Sequence, residues 1–267
     1  GSNFNDSLTG DANANAIDGG TGNDTIDGRA GDDVLDGGTG TDTVTFVNAG
    51  SGVTASLAAG TSSGGDGADT LSNFENLTGS AFVDFLTGDA SANTIRGGAS
   101  ADTIDAGAGN DIIHGDGGDD VIQGGAGNYT FIVVDGDGGD NIDDSAGTDT
   151  AQISGNLSAT NIYSVTFDGV DVVVTRGAVV IDLAGVENLL LTTGSGGSSG
   201  DTVDASAVTQ SVVINGEGGT DTLTGGSAAD TINGGGDSDT IDGRGGDDIL
   251  DGEGGTDTVT YANAGSG

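Results

Sequence analysis

The chain has 267 residues, of which 56 are Gly, 43 are Asp or Glu and only 4 are Arg or Lys, giving a formal charge of −39. So few cations exclude a nucleic-acid partner, the lack of cysteine excludes disulfides and thiolate metal sites, and no apolar run reaches the ~18 residues of a transmembrane helix. An apolar fraction of 33% is too lean for an ordinary core, so the chain is expected to be disordered unless something neutralises its charge.

Gly1–Gly20 carries neither the basic nor the apolar segment of a signal peptide, and the absence of Met makes the sequence an expected processed or internal piece of a longer product. Read in nines from Gly1, it opens GSNFNDSLT, GDANANAID, GGTGNDTID, GRAGDDVLD and GGTGTDTVT. The pattern G-G-x-G-x-D-x-U-x, with U a bulky aliphatic, predicts a six-residue turn followed by a three-residue strand. Two units then complete an 18-residue coil, and coils stack about 4.8 Å apart. Position 8 is the inward residue: Leu8, Ile17, Ile26, Leu35 and Val44 here, Leu86 to Phe131 in a second array, Leu223 to Val259 in a third.

The arrays divide the chain. Residues 1–45 form a first roll, and 46–63 a connector in which Val44 and Phe46 alternate against Val53, Ala55 and Leu57 as a β-hairpin. Residues 64–152 form a second roll, whose frame slips after Ile132. Residues 153–195 are an apolar connector, with Val165 and Phe167, then Val170, Val172 and Val174, flanking the hairpin-turn dipeptide Asp168-Gly169 and Val179–Leu183 as a third strand. Residues 196–260 form a third roll, and 261–267 begin another connector. Both connectors end in E-N-L, Glu75-Asn76-Leu77 and Glu187-Asn188-Leu189, read only as an inward Leu re-entering a coil. No segment has helical periodicity. The fold class is therefore all-β: parallel β-roll stacks with intervening hairpins. A longer period overlies the first, since residues 1–52 match 216–267 at 32 of 52 positions, and this implies a tandem array of units about 215 residues long.

Glycine at positions 1, 2 and 4 permits positive φ and lets carbonyl oxygens converge without Cβ clashes. Position 6 adds a carboxylate, held by Asp6, Asp24, Asp33, Asp42, Asp69, Asp84, Asp102, Asp111, Asp120, Asp140, Asp149, Asp201, Asp221, Asp230, Asp239, Asp248 and Asp257. Carbonyls and carboxylates suit calcium, a hard cation that takes 6–8 oxygens. The candidate carbonyl donors are Gly20, Gly22, Gly31, Gly38, Gly40, Gly98, Gly107, Gly109, Gly118, Gly125, Gly127, Gly138, Gly219, Gly235, Gly246 and Gly255. The second unit of each array is degenerate (GDANAN, GDASAN, GGSAAD), with Asn15 or Asn93 in place of Asp in two. These turns read as weak or empty, and Tyr129 as the end of one face. One aliphatic in nine makes a thin core, so ion binding is expected to be coupled to folding.

These repeats, well over a dozen in register over roughly two thirds of the chain, resemble the RTX family of secreted calcium-binding β-roll proteins. The resemblance implies that each ion is shared by the Asp and Gly-rich backbone of two stacked turns, with on the order of ten ions in all. It also implies export through a one-step secretion apparatus to an extracellular or cell-surface location. With the tandem period, the chain reads as a non-catalytic, self-associating structural unit of a fibre, S-layer-like coat or adhesin stalk. The alternative is a carboxy-terminal calcium module that assists an extracellular enzyme. G-x-S-x-G at Gly60–Gly64 and Gly196–Gly200 fits a hydrolase elbow, but the only histidine, His114, falls on an outward strand position. Arg29 and Arg244, equivalent in the two long repeats, read as charge relief.

Overall fold

The nonapeptide frame becomes an 18-residue coil in a computed structural model of the chain, which describes residues 1–134, 137–143, 146–155, 162–167, 172–176, 179–184, 186–193 and 200–260. The Asp168-Gly169 turn, most of the Gly196–Gly200 motif and the start of a further connector at 261–267 lie outside the described residues. Two compact units are present: Gly1–Thr130 with Asp140–Gly147, and Phe131–Gly139 with Thr148–Gly267. Each is a parallel β-solenoid with no helix among its described residues. Accordingly, no helix is long and apolar enough to cross a membrane.

In the first unit, three-residue strands alternate between two sheets. Ser7–Thr9, Thr25–Asp27 and Thr43–Thr45 pair in parallel at offsets of 18, Leu8 against Ile26 and Ile26 against Val44. The opposite sheet runs Ala16–Asp18, Val34–Asp36 and Thr70–Ser72, and resumes with Phe85–Thr87, Thr103–Ala108, Val121–Ala126 and Asn141–Asp143. Because side chains alternate along a strand, position 8 points inward. Ile26, Leu35, Val44, Leu86, Ile95, Ile104, Ile113 and Ile122 are all buried, while Val34, Phe85 and Val121 at position 7 are exposed.

The first connector corrects one expectation. Thr43–Thr45 and Val53–Ser56 do not form a hairpin, since they lie in opposite sheets. Val53–Ser56 instead turns back at residues 57–60 to pair antiparallel with Thr61–Gly64, Ala55 facing Ser62. It also pairs in parallel with Phe85–Thr87, so the hairpin widens one sheet without breaking the stack. The alternation of Val44, Phe46, Val53 and Ala55 is real and all four are buried. It reports burial from two sheets, which a period of two cannot distinguish from a hairpin.

In the second unit, one sheet stacks Thr150–Ser154, Asn188–Thr192, Val212–Asn215, Thr231–Asn233 and Ile249–Asp251 in parallel. The other begins as an antiparallel meander of Val179–Ala184, Val172–Arg176 and Ile162–Phe167, with Val165 opposite Val174 and Val174 opposite Ile181. This is the three-strand arrangement expected of the apolar connector. Ile162–Phe167 then continues in parallel into Thr202–Asp204, Thr222–Thr224, Thr240–Asp242 and Thr258–Thr260. Leu223, Ile232 and Ile241 form its buried row.

Candidate metal centre

Left-handed backbone at two places shapes most of the glycine-rich turns. Positions 2 and 4 carry positive φ, as at Gly20 (98°) and Gly22 (120°), Gly38 and Gly40, Gly107 and Gly109, Gly125 and Gly127. Gly31, Gly98, Gly118, Gly219, Gly235, Gly246 and Gly255 follow the same rule. Non-glycine residues adopt it where they replace glycine: Arg29, Ser100, Asp116, Glu217, Asp237, Arg244 and Glu253 have φ of 57–76°. Position 1 is different, because there the need is space rather than conformation. A Cβ on Gly97 would lie 2.5 Å from the carbonyl oxygen of Gly115 and 2.6 Å from Asp102 Oδ2. Ala106 shows that one turn tolerates a side chain at position 1.

The position-6 carboxylates are not a solvated acidic fringe. Asp24, Asp33, Asp42, Asp69, Asp84, Asp102, Asp111, Asp120, Asp140, Asp149, Asp201, Asp221, Asp230 and Asp239 are all at most 4% exposed. Asp6, Asp248 and Asp257, in the outermost described coils, are half-buried. One oxygen of most of these groups forms a rung to the preceding coil. The N–H groups of Asp6, Asp24, Asp84 and Asp102 donate to Oδ1 of Asp24, Asp42, Asp102 and Asp120 at 2.7–2.8 Å. On the other face Asn15, Asp33 and Asn93 donate to Asp33, Asp69 and Asp111. In the second unit Asp201, Asp221 and Asp239 donate to Asp221, Asp239 and Asp257, and Val212 and Asp230 to Asp230 and Asp248.

The second oxygen is the informative one. Asp24, Asp33, Asp42, Asp102, Asp111, Asp221 and Asp239 each keep a buried Oδ2 without a protein hydrogen-bond partner. A buried ionised oxygen without a donor is costly, and burial accordingly pushes Asp42, Asp102, Asp111, Asp221 and Asp239 upward. Asp102 reaches about 7, first from desolvation and then from the charges of Asp84 and Asp120. Asp221 reaches about 6 from desolvation and the nearby Asp239 and Asp201. Asp42, Asp111 and Asp239 shift the same way, again chiefly from burial. No group of three or more carboxylate or imidazole side chains converges among the described residues, so an ion here would draw on carboxylates from the stacked turns and on main-chain carbonyls. That all-oxygen donor set, with its orphaned anionic oxygens, fits calcium. Two of the candidate carbonyls, Gly20 and Gly235, also accept N–H groups of Thr39 and Gly254 in the next coil, each at 2.7–2.9 Å.

Sequence reasoning missed two rungs. Glu75 Oε2 accepts the N–H of Asp42 at 2.8 Å, and Glu187 Oε2 accepts that of Asp149 at 2.8 Å. Leu77 and Leu189 stand two residues later and are buried. E-N-L is therefore D-x-U with one extra methylene, supplying a rung where the glycine turn has been replaced by a connector; the acid-x-aliphatic spacing was the available signal. We expect Glu75→Ala to cost about 1–3 kcal/mol, the penalty of stranding the N–H of buried Asp42, and Glu75→Gln to cost much less because it keeps the acceptor. Urea unfolding in saturating calcium measures both, and equal midpoints for the two variants would contradict the rung.

The remaining candidates separate cleanly. Ser62, in the G-x-S-x-G segment, lies on the hairpin strand with Oγ donating to Asp69 Oδ2 at 2.5 Å. His114 is half-buried opposite Arg96, and burial followed by that cation lowers its pKa. Arg29 pairs with Asp27 at 3.1 Å. Asp66, outside position 6, is buried with an orphaned Oδ2 and is raised to about 6, first by desolvation and then by Asp27.

Comparison with curated proteins gives no match. The family model described as RTX calcium-binding nonapeptide repeat (4 copies) matches residues 1–25, 9–44, 78–113, 100–131, 209–232 and 224–259, more than half of the chain. These segments contain most of the turns whose carboxylates are buried in register. The chain thus belongs to the family of RTX calcium-binding nonapeptide repeats, and its β-rolls are calcium-binding repeat modules.

Proposed function

We propose that the chain is a calcium-dependent, non-catalytic structural unit of a secreted extracellular fibre, S-layer-like coat or adhesin stalk. The observation that carries the reading is the column of buried position-6 carboxylates with orphaned oxygens. Such a column repels itself until cations enter it, so ion binding and folding are one event. The seventeen position-6 aspartates and the glycine carbonyls of the stacked turns form the ligand pool, for on the order of ten ions. Rolls at 1–45, 64–152 and 196–260 carry the ions, and the connectors at 46–63 and 153–195 space them. The repeat of residues 1–52 at 216–267 favours a filament or coat, which needs many copies, over an accessory module of an enzyme.

Removing calcium tests this directly. In excess EGTA at neutral pH the β-sheet circular dichroism should collapse, and millimolar calcium should restore it. A spectrum indifferent to the chelator would overturn the reading. Electron microscopy of calcium-loaded material should then show regular assemblies rather than monomers.

A further inference from the structure

Two groups among the described turns differ in where the N–H of position 2 goes. In one class it leaves the turn. Arg29, Gly38, Arg244 and Glu253 donate to Oδ1 of Asp27, Asp36, Asp242 and Asp251 at 2.9–3.2 Å. Each acceptor is position 9 of the preceding strand, two residues upstream. Positions 2 and 4 are left-handed in these turns, and Asp33 and Asp42, their buried position-6 groups, keep an orphaned Oδ2.

In the other class the same N–H turns inward and is captured by position 6 itself. Asp11 donates to Asn15 Oδ1 at 2.8 Å, Ser80 to Asp84 Oδ2 at 2.5 Å, Asp89 to Asn93 Oδ1 at 2.8 Å and Gly226 to Asp230 Oδ2 at 2.6 Å. The side chain at position 2 closes the turn further. Asp11, Ser80 and Asp89 accept the N–H of position 4, from Asn13, Phe82 and Ser91. None of these turns has positive φ at position 2 or 4. Ser2 makes the same bond to Asp6 Oδ2 in the first turn, and the other four turns each follow a threonine at position 9: Thr9, Thr78, Thr87 and Thr224.

We propose that in these two groups position 9 of the preceding strand, acting with positions 2 and 4, decides whether a turn holds calcium. An Asp at position 9 draws the position-2 N–H outward and leaves the position-6 oxygen for the ion. Threonine there, with no glycine at position 4, gives a turn that supplies its own hydrogen-bond donors to position 6. The position-9 aspartates are positioning residues, because they direct a backbone group rather than touch the ion. Turns 10–15, 79–84, 88–93 and 225–230 are calcium-free, including Asp84 and Asp230, which the repeat pattern alone places among the ligands. Gly79–Arg96 is then a whole coil closed without metal, beside the open turns from residue 97 onward. This inference rests on the calcium reading of the rolls and adds which of their turns take part.

The test is calcium stoichiometry of the full chain, measured by equilibrium dialysis with elemental analysis. Asp36→Thr combined with Gly38→Ser and Gly40→Ala should remove about one ion. The reciprocal change, Thr78→Asp with Ser80→Gly and Phe82→Gly, should add about one, and this variant keeps the proposal testable if the first fails to fold. Unchanged stoichiometry in a folded reciprocal variant would overturn the proposal while leaving calcium binding intact. A wild-type chain that binds no calcium would overturn both it and the reading beneath it.

Discussion

Gly31→Ala should destabilise the first unit by about 3–5 kcal/mol, combining left-handed strain with overpacking against backbone. Gly31 is position 4 of the turn that ends at Asp33, and its φ of 136° is one that residues with a Cβ rarely adopt. The added methyl would also lie 2.7 Å from both the carbonyl carbon and oxygen of Asn13, one coil earlier. Neither neighbour is the end of a flexible side chain, so the two coils must separate. Separation lengthens the rung from the Asn15 N–H to Asp33 Oδ1 and disturbs the carbonyls around the orphaned Oδ2. Gly50→Ala is the matched control, because the nearest atom to its Cβ is the Gly65 carbonyl oxygen at 4.0 Å. Urea unfolding in saturating calcium should separate the two variants widely, and similar midpoints would refute the close-approach argument.

The metal-free chain should hold more β-structure in mild acid than at neutral pH. Asp102 is raised to about 7 and Asp66 and Asp221 to about 6, with Asp42, Asp69, Asp111, Asp230 and Asp239 shifted in the same direction, in each case first by burial. An unfolded Asp titrates near 3.9, so between about pH 4 and 7 the folded chain binds more protons than the unfolded one. Stability without metal is therefore greatest below about pH 4 and falls as pH rises to about 7. Asp6, Asp11 and Asp204 are shifted downward by hydrogen bonds and oppose this trend from more exposed positions. Circular dichroism in EGTA should show more sheet at pH 5 than at pH 8, above the sequence pI of about 4.1, where loss of net charge promotes association. Calcium added at pH 6 should release protons. Sheet content that increases with pH in EGTA would contradict the account.

The repeating parts of the fold were readable because one residue type answers one physical demand in every copy. Ile95 above Ile113 and Ile104 above Ile122 follow from the period of 18 alone. The connectors were harder, because Val53–Ser56 and Thr61–Gly64 enter a sheet between coils and shift its offsets away from 18. Glu75 and Glu187 lay outside the nonapeptide frame, although they take over the role of its sixth residue. Of the two reasons for glycine in the turns, freedom of φ and room without a Cβ, Gly97 at position 1 shows the second. Three of the closed turns, GDANAN, GDASAN and GGSAAD, already read as weak or empty from their missing fourth glycine. The Thr or Asp just before a turn reads as ordinary surface variation until its hydrogen bonds are seen.

The rungs also have a mechanical meaning. Each ties a backbone N–H of one coil to a carboxylate of the next, so within either unit neighbouring coils are linked by side-chain bonds as well as sheet bonds. Tension applied through the chain would load these links one coil after another rather than all together. Every coil that gives way frees 18 residues, about 60 Å of extended chain at ~3.3–3.6 Å per residue, in exchange for a single layer of the stack. A unit built this way would yield in steps under load and take up slack again when its ions return.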